Sequence, residues 1–170
     1  LKGKADDVQI SHLSAMNSGM DWDENYYSPF SPTPKLLYGY DSEEFVTGLE
    51  YVHEPKTVHY YSSASTQLLG VVLKRALKDK TISDYLSERL WQPLGMHDDA
   101  TWHLDAQGLE LTFCCINSNI RDWAKLGQLV LNDGEWNGQQ IISKEMIDHI
   151  RTPQLVHYYT YSFWIDDREN

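Results

Sequence analysis

Tyr61-Ser62-Ser63-Ala64-Ser65-Thr66-Gln67-Leu68-Leu69-Gly70 is the stretch on which the reading of this chain turns. From it onward, Leu68, Leu69, Val72, Leu73, Ala76 and Leu77 recur at three- and four-residue spacing, which predicts an amphipathic helix over 63–78. A tyrosine and a serine two residues apart at the entrance of such a helix can both face one cleft.

On either side the chain reads as helices, long loops and a few short strands. Ile10, Leu13 and Met16 make a short helical stripe that Ser18-Gly19 ends. Residues 20–41 are rich in Tyr, Ser, Asp and Pro, and Pro29, Pro32 and Pro34 argue for an irregular loop. Asp41-Ser42-Glu43-Glu44 reads as the capped start of a helix to about Leu49, and Ser83 to Gln92 as another helix. Two strands are predicted at 101–104 and 109–116, with Gly108 in the turn between them. Asn119 to Leu131 and Ser143 to Ile150 read as helices, with a tight turn at Asn137-Gly138. The aromatic–polar alternation of 158–165 predicts a last strand, and Trp123 and Trp164 are assigned to the core.

The 170 residues fit one domain, and 41% hydrophobic with 23% charged residues is a globular composition. A net charge of −11, with no basic run, excludes nucleic acid and anionic membrane surfaces as partners. No apolar stretch is long enough to span a bilayer. A chain opening on Leu1 reads as a piece of a longer protein. The adjacent Cys114 and Cys115 read as small buried residues on a strand, since a bridge between neighbours would be strained.

Specific catalytic signatures are few. None of the serines has lysine three residues on, and there is no Gly-x-Ser-x-Gly, His-Glu-x-x-His or phosphate-binding glycine loop. Asp21-x-Asp23-x-Asn25 begins like a calcium loop, but Tyr26 and Pro32 stand where Gly and Glu are required. His97-Asp98-Asp99 reads as a solvated turn, so no metal or other cofactor is expected. Tyr61 stands apart. A phenol beside a lysine ammonium can take a proton from an attacking serine and pass it to a leaving group. Ser63 can hold that network by donating and accepting hydrogen bonds. A buried structural tyrosine is the plainer alternative for Tyr61 alone.

The segments around it carry a resemblance. Ile10 to Met20, Tyr60 to Gly70, Leu90-Trp91-Gln92-Pro93-Leu94-Gly95-Met96, Arg121-Asp122-Trp123-Ala124-Lys125-Leu126-Gly127 and Asn132 to Gly138 follow one another as in the penicillin-recognising serine hydrolases. That group comprises class C β-lactamases, DD-peptidases, related esterases and 6-aminohexanoate-dimer hydrolases. The resemblance implies a mainly α chain with a few short β strands: the helical region of a β-lactamase/transpeptidase-like α/β fold, with most of the central sheet absent. It implies that Tyr61 is the proton-relay tyrosine of the second catalytic motif and that Ser63 stands where most β-lactamases have Asn. Tyr26 would line the substrate cleft, and Trp22 would face substrate from the same loop. A packed surface aromatic is the alternative for Tyr26.

Two departures are Pro55-Lys56 where the family has Pro-Gly, and Cys114-Cys115 where many members have Gly-Gly. The first motif, Ser-x-x-Lys, and the third, Lys-Thr-Gly or His-x-Gly, belong upstream of Ile10 and downstream of Trp164. The expectation is thus part of a serine hydrolase acting on small amide or ester substrates through an acyl-enzyme, inactive as an isolated piece. Relatives of this kind are commonly periplasmic or extracellular. The alternative is a non-catalytic binding or structural module that keeps the helical scaffold.

Overall fold

The computed structural model describes residues 5–166. Seven α-helices are described: α1 (Ile10–Ser14), α2 (Pro32–Tyr38), α3 (Ser42–Thr47), α4 (Ser63–Leu77), α5 (Ile82–Leu86), α6 (Ile120–Leu131) and α7 (Lys144–Arg151). A π-helical turn, Ser87–Trp91, continues α5. The strands are only two residues long. β1 (Thr101–Trp102) pairs antiparallel with β2 (Ile116–Asn117), and β3 (Glu135–Trp136) with β4 (Gln139–Gln140). The chain is therefore mainly helical with small, unclosed sheets, as expected of the helical part of a β-lactamase-like fold.

Helix α4 is the centre of the packing, laid against α1, α2, α3 and α5. Around it Leu13, Met20, Trp22, Leu36, Val46, Leu68, Val71 and Ile82 form one apolar cluster. The buried side of α4 is rotated from the stripe read in the sequence: Ala64, Gln67, Leu68, Gly70 and Val71 are buried, whereas Val72 is exposed. Polar pairing explains the difference. The fully buried Gln67 donates its amide to Ser42 Oγ (2.9 Å) and the Glu110 carbonyl (3.1 Å), and accepts from the Thr112 N–H at 2.8 Å. A buried amide with its donors and acceptor matched is tolerated where an unmatched one would not be. Gly70 allows the same approach, because a Cβ there would lie 2.3 Å from Thr112 Oγ1.

Other expectations need correction. The loop over 20–41 contains α2, because Pro32 and Pro34 sit in its first turn, where a missing N–H costs nothing. The predicted strands at 101–104 and 109–116 shrink to β1, β2 and a bridge between Leu104 and Glu110, since residues 112–114 turn. Cys114 and Cys115 lie half-buried beside this turn and are joined by a disulfide, with Cys115 at φ +75°. The strand predicted at 158–165 is a single bridge, Tyr159 to Trp164, with Ser162 at φ +61° between them. Trp164 is 63% exposed and not a core residue, while Trp123 is half-buried against the edge of Trp91. Asn137 (φ +50°) and Gly138 (φ +78°) make the turn joining β3 to β4.

Candidate active site

The site is assembled at the first turn of α4. Ser62 caps the helix from an extended conformation, its Oγ accepting from the Ser65 N–H at 3.1 Å. Ser63 is the first helical residue and is buried, and Tyr61 lies just outside. The loop after α1 is brought over this helix start by a close backbone crossing. Gly19, at φ +79°, passes so near His53 that a Cβ would lie 2.1 Å from its carbonyl oxygen. Only glycine fits that crossing. The Gly19 carbonyl accepts from the Val52 and His53 N–H groups, Met20 bridges to Tyr51, and residues 22–26 then run past Ser63.

Glu24 organises what meets there. Its carboxylate accepts from four donors: Trp22 Nε1 (2.5 Å), the Ser63 N–H (2.8 Å), Ser63 Oγ (2.5 Å) and Tyr26 OH (2.8 Å). Tyr26 OH and Ser63 Oγ lie 3.4 Å apart. An ionised carboxylate only accepts, so both hydroxyl protons point at Glu24 and the hydroxyl lone pairs are left for other partners. The negative group also faces the unpaired N–H groups and positive end of α4, where it is stabilising.

Of the residues singled out in the sequence, Ser63, Tyr26 and Trp22 are thus joined through one carboxylate. Tyr26 is 55% exposed. Trp22 is buried in the core, edge-on to Phe45, and only its indole N–H reaches the site. Tyr61 stands beside the network without a hydrogen bond from its hydroxyl to the described residues. Its ring is 37% exposed, stacked on Trp164 at 5.3 Å between centroids and edge-on to Tyr159 at 5.9 Å. Burial, then the Glu24 carboxylate, push the Tyr61 phenol above its ordinary pKa. Tyr26 is pushed up too, by burial first, with Ser63 opposing and Glu24 and Tyr61 adding. Both phenols are therefore neutral near pH 7.

Sequence reading did not single out Glu24, because which carboxylate meets the helix start depends on how the loop folds over it. A helix start leaves N–H groups unpaired, and a carboxylate in a loop folding over that start is the natural acceptor. Chemically the cluster offers oriented hydroxyl lone pairs and an accessible phenol. Its serine is tied to a carboxylate, and no lysine or histidine among the described residues hydrogen-bonds it. A separate apolar recess of about 440 Å³, lined by Leu69, Leu73, Ile82, Leu86, Leu90 and Trp102 among others, contains none of these groups.

Comparison with known proteins gives the family. The Beta-lactamase family model matches residues 1–168. A 6-aminohexanoate-dimer hydrolase of Paenarthrobacter ureafaciens is 25% identical over 157 residues, 85% of this chain and 39% of that protein. Among solved structures, a candidate 6-aminohexanoate-dimer hydrolase from Bacillus anthracis superposes with a TM-score of 0.77 at 22% identity, over 94% of this chain and 47% of that one. An octameric penicillin-binding protein homologue from Pyrococcus abyssi gives 0.60 at 19% identity, covering 91% of this chain and 42% of that one. The structural likenesses speak to the fold. The chain spans less than half the length of each of these relatives. With a single family model matching nearly all of its residues, the chain belongs to the β-lactamase family of serine hydrolases.

Proposed function

We propose that this chain supplies one wall of the active site of a serine hydrolase that cleaves small amide or ester substrates through an acyl-enzyme. Tyr61 is the proton relay. It accepts the proton of the attacking serine as that oxygen bonds to the substrate carbonyl, and returns it to the leaving amine or alcohol as the scissile bond breaks. Water then attacks the serine ester, losing its proton by the same route and releasing the acid. The attacking serine and its lysine come from polypeptide other than these residues, since no serine here has lysine three positions on. Ser63 and Tyr26 present lone pairs beside the relay because Glu24 holds their protons. No metal or organic cofactor enters this chemistry. Export to the periplasm or the cell exterior belongs to the same reading and is supported by the family membership.

The observation that carries the proposal is the accessible Tyr61 phenol at the entrance of α4, next to a serine whose orientation is fixed. The test is labelling of the intact protein with a fluorescent serine-directed phosphonate or penicillin. Labelling slowed by about a hundredfold or more in Tyr61→Phe, with the fold retained, is the expected result. Absence of labelling in the parent protein, under conditions where a homologous hydrolase reacts, would favour a non-catalytic module instead.

A further inference from the structure

A second polar recess, of about 250 Å³, opens between α1 and the loop that follows α7. His12, Asn17 and Ala15 are its buried part, and Lys56, Gln154 and Leu155 its exposed rim. His12 and Asn17 are each 5% exposed, yet His12 Nε2 and Asn17 Oδ1 have no hydrogen-bond partner among the described residues. Buried polar atoms are almost always paired, and two that are not, on residues lining one recess, point to something that belongs beside them.

The chemistry of the occupant follows from the atoms. The Gln9 N–H donates to His12 Nδ1 at 3.1 Å, which makes that nitrogen the acceptor and leaves the proton of the neutral ring on Nε2. Burial, then the Lys56 ammonium, hold the ring below its ordinary pKa, so it is neutral near pH 7. The recess therefore offers one N–H donor and one ammonium, with the Asn17 side-chain oxygen Oδ1 as acceptor.

Lys56 adds an independent observation. It sits at φ +66°, a conformation suited to glycine, and its N–H is fixed by the Asn17 carbonyl at 2.8 Å. Glycine is also the residue the family resemblance leads one to expect here. A lysine at this left-handed position puts a positive charge on the rim of the recess.

We propose that this recess binds a small carboxylate that also carries a hydrogen-bond donor, as in a 2-hydroxy acid. The carboxylate lies between the Lys56 ammonium and His12 Nε2–H, and the hydroxyl donates to Asn17 Oδ1. The volume suits a ligand of a few heavy atoms, and charge-assisted bonds of this kind are the strong ones.

The test is a titration of the intact protein with glycolate, acetate and chloride at constant ionic strength, followed by the His12 ring nitrogens in NMR and by thermal melting. Glycolate is expected to shift His12 Nε2 and raise the melting temperature, with acetate about fivefold weaker for want of the hydroxyl. Chloride should do neither. Lys56→Gly suits the backbone and so should fold at least as well, but should weaken glycolate about tenfold or more. An undiminished glycolate response in Lys56→Gly, or His12 signals unmoved by glycolate, would overturn the proposal. So would a high-resolution structure grown in glycolate that shows only water against His12 and Asn17.

Discussion

Replacing Glu24 by Gln probes the centre of the candidate site without changing its volume. The carboxylate accepts from Trp22 Nε1 and the Ser63 N–H on Oε2, and from the Ser63 and Tyr26 hydroxyls on Oε1. A glutamine has one acceptor to divide among these four donors. The two N–H groups cannot reverse, whereas hydroxyls can rotate and accept. The amide therefore turns its oxygen to Trp22 and Ser63 N–H and its NH₂ to the hydroxyls. Each N–H bond then falls from charge-assisted to neutral, about 1 kcal/mol apiece, and the hydroxyl bonds survive reversed. Loss of the negative charge at the start of α4 adds about 0.3–1 kcal/mol. The expected destabilisation is about 2–3 kcal/mol, read from urea unfolding of the intact protein by tryptophan fluorescence. Glu24→Gln and Ser63→Ala should couple strongly in a double-mutant cycle, because they share bonds. A loss below about 0.5 kcal/mol, or additive losses in the cycle, would refute the assignment of Glu24 as the organiser.

Gly70→Ala should destabilise by about 1–3 kcal/mol, because its Cβ would lie 2.3 Å from Thr112 Oγ1; unfolding of Gly70→Ala/Thr112→Ser, which removes the methyl also in contact, should recover part of that loss. Asp122 has no exposed surface; burial opposes its ionisation, but the Asp98 and His97 N–H groups, Lys125 and Asn119 outweigh it and hold the carboxyl far below its usual pKa. Its folded-state pKa being depressed, that stability is present above the unfolded value near 4 and is lost as pH falls below it. Acid melts of Asp122→Asn should accordingly show a shallower fall in melting temperature below pH 4 than the parent's. Tyr51 runs the other way: burial pushes its phenol up to about 12, so its contribution is complete below the unfolded value near 10 and fades as pH rises toward 12. Tyr51→Phe should lessen the alkaline loss of stability, measured as unfolding free energy between pH 9 and 11.

The legibility of the chain varies with the range of the interactions. Caps and turns were written locally and formed where expected: Asp41 accepts from the Glu44 N–H, Asn119 from Asp122 and Ser143 from Met146. The buried side of α4 was not legible, because Gln67 is held by Ser42, Glu110 and Thr112 from distant parts of the chain. Likewise Pro32 and Pro34 read as breakers until the position of the helix start was known. At the candidate site, Tyr61 and Ser63 were singled out by the resemblance of the segments around them together with their place at a helix entrance. Glu24 was not, since its selection depends on Gly19 folding the loop back over α4, a contact with residue 53 that no local pattern announces. Trp164 was misplaced for a related reason. Its ring packs on the exposed Tyr61 and Tyr158 and on the edge of the buried Tyr159, leaving the indole itself largely in solvent.

The electrostatics of Tyr61 bear directly on the proposed relay. Burial and Glu24 both act against the phenolate, so among these residues Tyr61 is a proton donor and a poor base. To accept a proton at neutral pH a phenol must fall from about 10 by roughly three units, or about 4 kcal/mol. A single cation about 4 Å away, in a medium of effective dielectric near 20, supplies about that much. On the proposed reading, one lysine ammonium placed against the Tyr61 hydroxyl covers that ordinary gap, and must also outweigh what burial and Glu24 add to it. The same Glu24 that orders Ser63 and Tyr26 opposes the Tyr61 phenolate, so the proposed relay depends on a cation supplied from outside these residues. On the proposed reading, this wall of the site gains its chemistry only when the opposite wall is in place.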